Sequence, residues 1–161
     1  MAKLVALVAS LCFLSFLGAA YCKIEVRGLI YCDTCRVLFP TIVAKPATDA
    51  QVTLVCRDRE NEKNVTVSIT TSAIDEHGKY VFEVDGDHED EICEVRLEKN
   101  NDPDCTQIIP GLDRARILIS DNSGIASNVR YANPLGFIKS EALPECAQIL
   151  RSYDLLPSAH I

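Results

Sequence analysis

Cysteine is the residue type in this chain with the most chemistry available to it, and its spacing narrows what that chemistry is. Of eight cysteines, six follow Lys23: Cys32, Cys35, Cys56, Cys93, Cys105 and Cys146. The close pair Cys32-Asp33-Thr34-Cys35 admits three roles. A redox dithiol needs its first cysteine at a helix N-terminus, where the dipole lowers the thiol pKa. Here the pair ends an alternating apolar run and is followed by Val37-Leu38-Phe39-Pro40. A zinc site needs a second close pair of ligands, and Cys93 and Cys105 stand too far apart to resemble one. Structural disulfides remain, and an even set suits an oxidising compartment. Six cysteines allow 15 pairings, which spacing alone does not resolve.

The other chemistry-bearing residues form no constellation. Asp85, Asp87, Glu89, Asp90 and Glu91 are rich in oxygen, but their spacing misses the calcium loop of an EF-hand, so they read as a solvated acidic loop. His77, His88 and His160 are scattered over turns and the tail, with no pair at ligand spacing, so no metal or cofactor is expected. Neither a G-x-S-x-G nucleophile motif nor a glycine-rich phosphate loop is present, and an enzyme is not expected. Asn64-Val65-Thr66 is the one N-x-Ser/Thr sequon, which makes Asn64 the candidate glycosylation site.

The elements that must position these residues are short strands. Ile24, Val26, Ile30 and Cys32 share one parity and so one face of a strand, while Cys35 lies an odd number of residues further on. The pair therefore sends two ties to two distant parts of the chain. Further alternating runs follow at Ala50–Cys56, Val65–Ile69, Tyr80–Val84 and Cys93–Leu97, with weaker ones at Arg116–Ser120 and Asn128–Ala132. Asp49, Pro40, Pro46, Gly78, Gly86 and Pro103 mark turns between them. Repeated strands with turns between them indicate an antiparallel sandwich or barrel. Cys56 and Cys93 both continue inward-facing sets, so a bridge between them would lie in the core. At the end the period changes: Cys146, Ile149, Leu150 and Tyr153 fall on one helical face, and a short helix from Pro144 to about Leu155 is expected.

Met1 to Cys22 reads as a secretory signal, with Lys3, an apolar run from Leu4 to Leu17 and small residues at Gly18–Ala20. Cleavage after Ala20 would retain Cys22, whereas cleavage after Cys22 leaves an even cysteine set and is preferred. The apolar run is short for a membrane span and no basic cluster follows it. One domain, residues 23–161, is then expected outside the cell. Without Lys3 the chain carries 15 basic against 23 acidic side chains, a balance that argues against nucleic acid or an anionic membrane as its main partner.

The stretch Gly28-Leu29-Ile30-Tyr31-Cys32-Asp33-Thr34-Cys35-Arg36 resembles the signature of the pollen Ole e 1-like family of secreted plant proteins. The resemblance extends through Ala50–Cys56, Asp75–Tyr80, Asp90–Cys93, Ala132–Phe137 and Leu143–Cys146. Arg27 stands where the family usually has Glu, Gln or Thr, and Ile30 replaces the usual Val; neither disturbs the cysteine frame. The resemblance implies the pairs Cys32–Cys105, Cys35–Cys146 and Cys56–Cys93. It also implies an all-β fold, a seven-stranded antiparallel sandwich or flattened barrel, here with a short C-terminal helix. It further implies a secreted glycoprotein with roles in pollen-tube growth, the cell wall or cell-surface signalling, an allergen, and an unidentified protein or cell-wall partner in the apoplast. The alternative is an extracellular carrier holding a small apolar ligand in a barrel cavity lined by Tyr31, Tyr80 and Phe82.

Overall fold

The computed structural model of the chain describes residues 23–156. The expected signal, Met1–Cys22, and His160 lie outside the described residues. Among the described residues nine strand segments and one helix follow in chain order: β1 (Ile24–Asp33), β2 (Lys45–Pro46), β3 (Ala50–Asp58), β4 (Val65–Thr71), β5 (Lys79–Val84), β6 (Glu91–Asn100), β7 (Arg114–Ile117), β8 (Val129–Tyr131), β9 (Leu135–Ile138) and α1 (Cys146–Ser152). The expected count of seven is thus approximate, since β2 and β8 are only two and three residues long.

Two sheets face each other. In the first, β1 is the hub: β5 and β2 pair with it antiparallel, and β8 and β9 run parallel to it. The sheet is therefore mixed rather than wholly antiparallel. Alternation within one run cannot reveal this, because strand direction is set by the path of the intervening chain. The second sheet is antiparallel, in the order β4-β3-β6-β7.

Between them lies the core. Ile24, Val26 and Ile30 from β1, Tyr80, Phe82 and Val84 from β5, Val52, Leu54 and Cys56 from β3 and Cys93, Val95 and Leu97 from β6 belong to one buried cluster. Each large side chain so buried contributes about 1.5–3 kcal/mol relative to leaving it exposed. The second half of β1 is buried on both faces, Tyr31 and Asp33 included. There it is flanked by β9 and β2, which the sequence pattern did not reveal. Helix α1 is shorter than its periodicity suggests. Cys146 and Ile149 are buried, but Leu150 is only half-buried and Tyr153 is exposed.

Candidate functional site

The stretch with the most distinctive chemistry in the sequence is, in three dimensions, a set of supports. Cys32 leaves β1 toward Cys105 at a Cα–Cα distance of 6.0 Å, and Cys35 is bonded to Cys146 on α1 at 5.4 Å. Cys56 stands directly opposite Cys93 in the β3–β6 ladder and is bonded to it, with Cα atoms 4.0 Å apart. Two ties therefore anchor the end of β1 to loop and helix, and the third pins the second sheet from its inner face.

Between and after the paired cysteines, each polar group has a structural partner. Asp33 is buried, and its carboxylate accepts the Cys35 N–H at 3.2 Å through Oδ1 and the Leu38 N–H at 2.6 Å through Oδ2. Those bonds hold a loop in which Arg36 and Leu38 adopt the left-handed region, at φ 59° and 69°. Such a conformation costs a non-glycine residue about 1–3 kcal/mol unless its surroundings enforce it. Thr34 Oγ1 donates to the Val43 carbonyl at 2.9 Å, and the Arg36 guanidinium donates to the carbonyls of Lys139 and Ser140. Nothing in this stretch remains poised for redox or nucleophilic work.

Two glycines make room for tyrosines. A Cβ on Gly28 would lie 2.1 Å from the Tyr80 hydroxyl oxygen, and one on Gly136 would lie 2.6 Å from Cζ of Tyr31. Tyr80 packs on Phe82 with ring centroids 5.4 Å apart, and both are buried in the core. Phe82 and Tyr80 pack in the core, and no cavity is lined by Tyr31, Tyr80 and Phe82 together among the described residues; Tyr80 also borders an open cleft of about 830 Å³ with Gly28, Val81 and Tyr131. Burial alone raises the Tyr80 hydroxyl pKa, and its oxygen has no hydrogen-bond partner. Tyr31, whose pKa burial and then Asp33 push up to about 12, lines an open cleft of about 200 Å³ with Leu38, Ile109 and Leu112. That is below the roughly 300–1,000 Å³ usual for small-molecule sites.

The remaining sequence candidates fall on the surface. Asn64 and Thr66 are exposed at the start of β4, where the Asn64 carbonyl accepts the Asp58 N–H at 3.0 Å. In the acidic loop Asp85, Asp87, Glu89 and Asp90 are exposed, while the half-buried His88 lies 2.9 Å from Glu91 through Nδ1. Cys56 Sγ, His88 and Glu91 form a compact donor group, but the sulfur is committed to Cys93, so the group does not constitute a metal site. His77 is exposed beside Glu76.

Sequence parity places Glu94 and Arg96 outward, and that is where they point, but Glu94 is not solvated. Its side chain is 5% exposed, beneath Arg57 and Arg96, whose guanidinium groups both donate to Oε1, from Arg57 at 2.7 Å. Arg114 approaches the same oxygen at 3.8 Å. Burial acts to raise the Glu94 pKa, but the hydrogen bonds from Arg57 and Arg96 outweigh it and hold the carboxyl below its ordinary value. A depressed carboxyl contributes stability that is present above its unfolded-state pKa and lost as pH falls through the folded value. Glu94→Gln should therefore unfold at lower urea than the parent at pH 7, by about 1–3 kcal/mol. The gap should close as the pH is lowered below the Glu94 pKa; a gap independent of pH in urea titrations would contradict this account. A second buried charge missed in the sequence is Arg130, which donates to the Ser120 carbonyl at 2.8 Å and gathers the loop before β8. The available signal for Glu94 was its parity with Arg57 and Arg116 on flanking strands; for Arg130 there was none.

Two facing sheets closed by these three bridges define a small cystine-tied β-sandwich. The chain belongs to the family described as Pollen protein Ole e 1 like, whose profile matches residues 22–154. It is 46% identical over 153 residues to the Olee1-like protein of Betula pendula, covering 92% of this chain and 91% of that one. It is 42% identical over 160 residues to the anther-specific protein LAT52 of Solanum lycopersicum, covering 98% of each. Among solved structures it resembles that of the major plantain pollen allergen Pla l 1. The TM-score is 0.62 at 31% identity, over 77% of this chain and 99% of that one.

Proposed function

We propose that this protein is a secreted, non-catalytic recognition module of the pollen extracellular space, and an allergen, acting through outward sheet faces and loops. The observation that carries the reading is the condition of the signature. Its cysteines, Asp33, Thr34 and Arg36 are all engaged in holding β1, α1 and the neighbouring loops. That frees the exterior to vary and to bind, as scaffolded surfaces commonly do. The pollen and anther names of the relatives support the setting, as do the cystines. Among the described residues no helix is long and apolar enough to cross a membrane.

The test is affinity capture from pollen and stigma extracellular fluid with the oxidised protein as bait. A partner retained by the folded bait and lost when the bridges are reduced is expected. Turnover of wall polysaccharides by the oxidised protein, absent after reduction, would replace this reading with an enzymatic one.

The same reading includes an N-glycan on Asn64, which is exposed and would project away from the core. Treating protein from plant tissue with a peptide N-glycanase should lower its mass and convert Asn64 to Asp. An unchanged mass for that peptide would remove the modification from the proposal.

A further inference from the structure

The outer face of the second sheet carries an arrangement unlike the rest of this acidic chain. Strand register sets Arg116 of β7 directly opposite Glu94 of β6, and Arg114 directly opposite Arg96. Arg57 of β3 completes the group from the other side of Glu94. These four arginines and only two carboxylates, Glu62 and Glu94, line an open cleft of about 420 Å³. Asp113 engages Arg114 from its flank at 3.0 Å, whereas Arg116 is exposed and enters none of the ion pairs among the described residues. Like charges placed directly across a ladder repel one another; Arg96 and Arg114 are met by the shared Glu94 oxygen and, at Arg114, by Asp113, while Arg116 has no carboxylate partner among the described residues. An external anion would supply one.

The same face continues into hydroxyls. Thr53 of β3 and Thr70 of β4 are opposite each other with Oγ1 atoms 2.8 Å apart, and Thr66 and Ser68 share the outward parity of Thr70. The strands bearing these arginines lie about 4.8 Å apart, and residues on one face recur about 7 Å along each, beside a row of hydroxyls. Guanidinium geometry matches carboxylates bidentately. A flat, open face with repeated forks suits a chain bearing repeated carboxylates and hydroxyls better than a single small anion. The residues lining the cleft offer no exposed large apolar side chain to enter a bilayer.

We propose that this face binds an acidic polysaccharide, a polyuronate, through Arg57, Arg96, Arg114 and Arg116. The inference rests on the recognition-module reading and gives it one class of partner. The arginines act as the ligand's counter-charges, with Glu94 spacing Arg57 and Arg96.

The test is affinity electrophoresis of the full oxidised protein in gels containing soluble polygalacturonate or neutral dextran. Retardation by polygalacturonate alone, fading between about 50 and about 300 mM salt, is expected as the charges are screened. Arg114→Gln/Arg116→Gln should weaken binding at least tenfold while the protein keeps a cooperative thermal transition. Lys23→Gln/Lys45→Gln, which removes the same charge elsewhere, should leave it within twofold. Absence of retardation, or equal losses in the two double variants, would overturn the proposal. So would arginine-dependent binding to anionic phospholipid vesicles without binding to the polyuronate, which would assign the face to a membrane. If the polyuronate fails while a protein partner is still captured from extracellular fluid, this inference falls and the module reading stands.

Discussion

Alanine at both Cys35 and Cys146 is expected to lower the unfolding free energy by about 4 kcal/mol. The bridge spans 111 residues, for which chain entropy alone would suggest somewhat more. Cys32–Cys105, with a separation of 73, already bridges most of that span, so the loop newly closed is only about forty-five residues, Cys32 to Cys35 and Cys105 to Cys146. Cys56–Cys93, nested inside Cys32–Cys105 with a separation of 37, should contribute a similar amount. Urea titration of each double-alanine variant checks the magnitude, and hydrogen exchange checks where it acts. Amides of α1 should lose protection first when Cys146 is freed, because Cys146 and Ile149 are the buried residues of that helix. A loss well under 2 kcal/mol would mean that packing of α1, not the bridge, holds the chain end.

Gly28→Ala should be strongly destabilising for a single methyl addition, costing about 3 kcal/mol. The new Cβ would lie 2.1 Å from the Tyr80 hydroxyl oxygen and 2.4 Å from Cζ, so the buried ring would have to shift to admit it. Overpacking of this kind typically costs about 1–3 kcal/mol and more where nothing can yield. Gly28 has ordinary backbone angles, so the effect is steric, not conformational. The discriminating measurement is a double-mutant cycle. Tyr80→Leu destabilises by itself, but in that background Gly28→Ala should cost little, giving a coupling of about 2–3 kcal/mol between the two positions. Additive losses in urea titrations would show that alanine disturbs β1 for another reason. Gly86→Ala, at a half-buried turn with φ 92° and nothing near its Cβ, should cost less and show no coupling to Tyr80.

These two results bear on how much the sequence discloses. Parity places Cys56 and Cys93 on inward faces, and the register sets them opposite each other. The same rule recovers Ile24, Val26 and Ile30, and with them the hub strand. It works because a two-residue period is a local property of extended chain. It fails at Glu94, since the fate of an outward carboxylate depends on which side chains the neighbouring strands place beside it. It fails also at β2 and β9, whose short runs carry no period and become strands only because β1 offers them open hydrogen-bonding edges.

The amino-acid order by itself determined the all-β class, the even cystine set, the inward faces of the longer strands and the membership that the signature marks. All of these follow from local periodicity, from thiol chemistry or from a contiguous motif. Folding in three dimensions decided that Gly28 exists to admit Tyr80, that β8 and β9 run parallel to β1, and that three arginines converge on one buried glutamate with a fourth beside them. Each of those depends on residues far apart in the chain meeting at ångström range, and no local pattern encodes which ones meet.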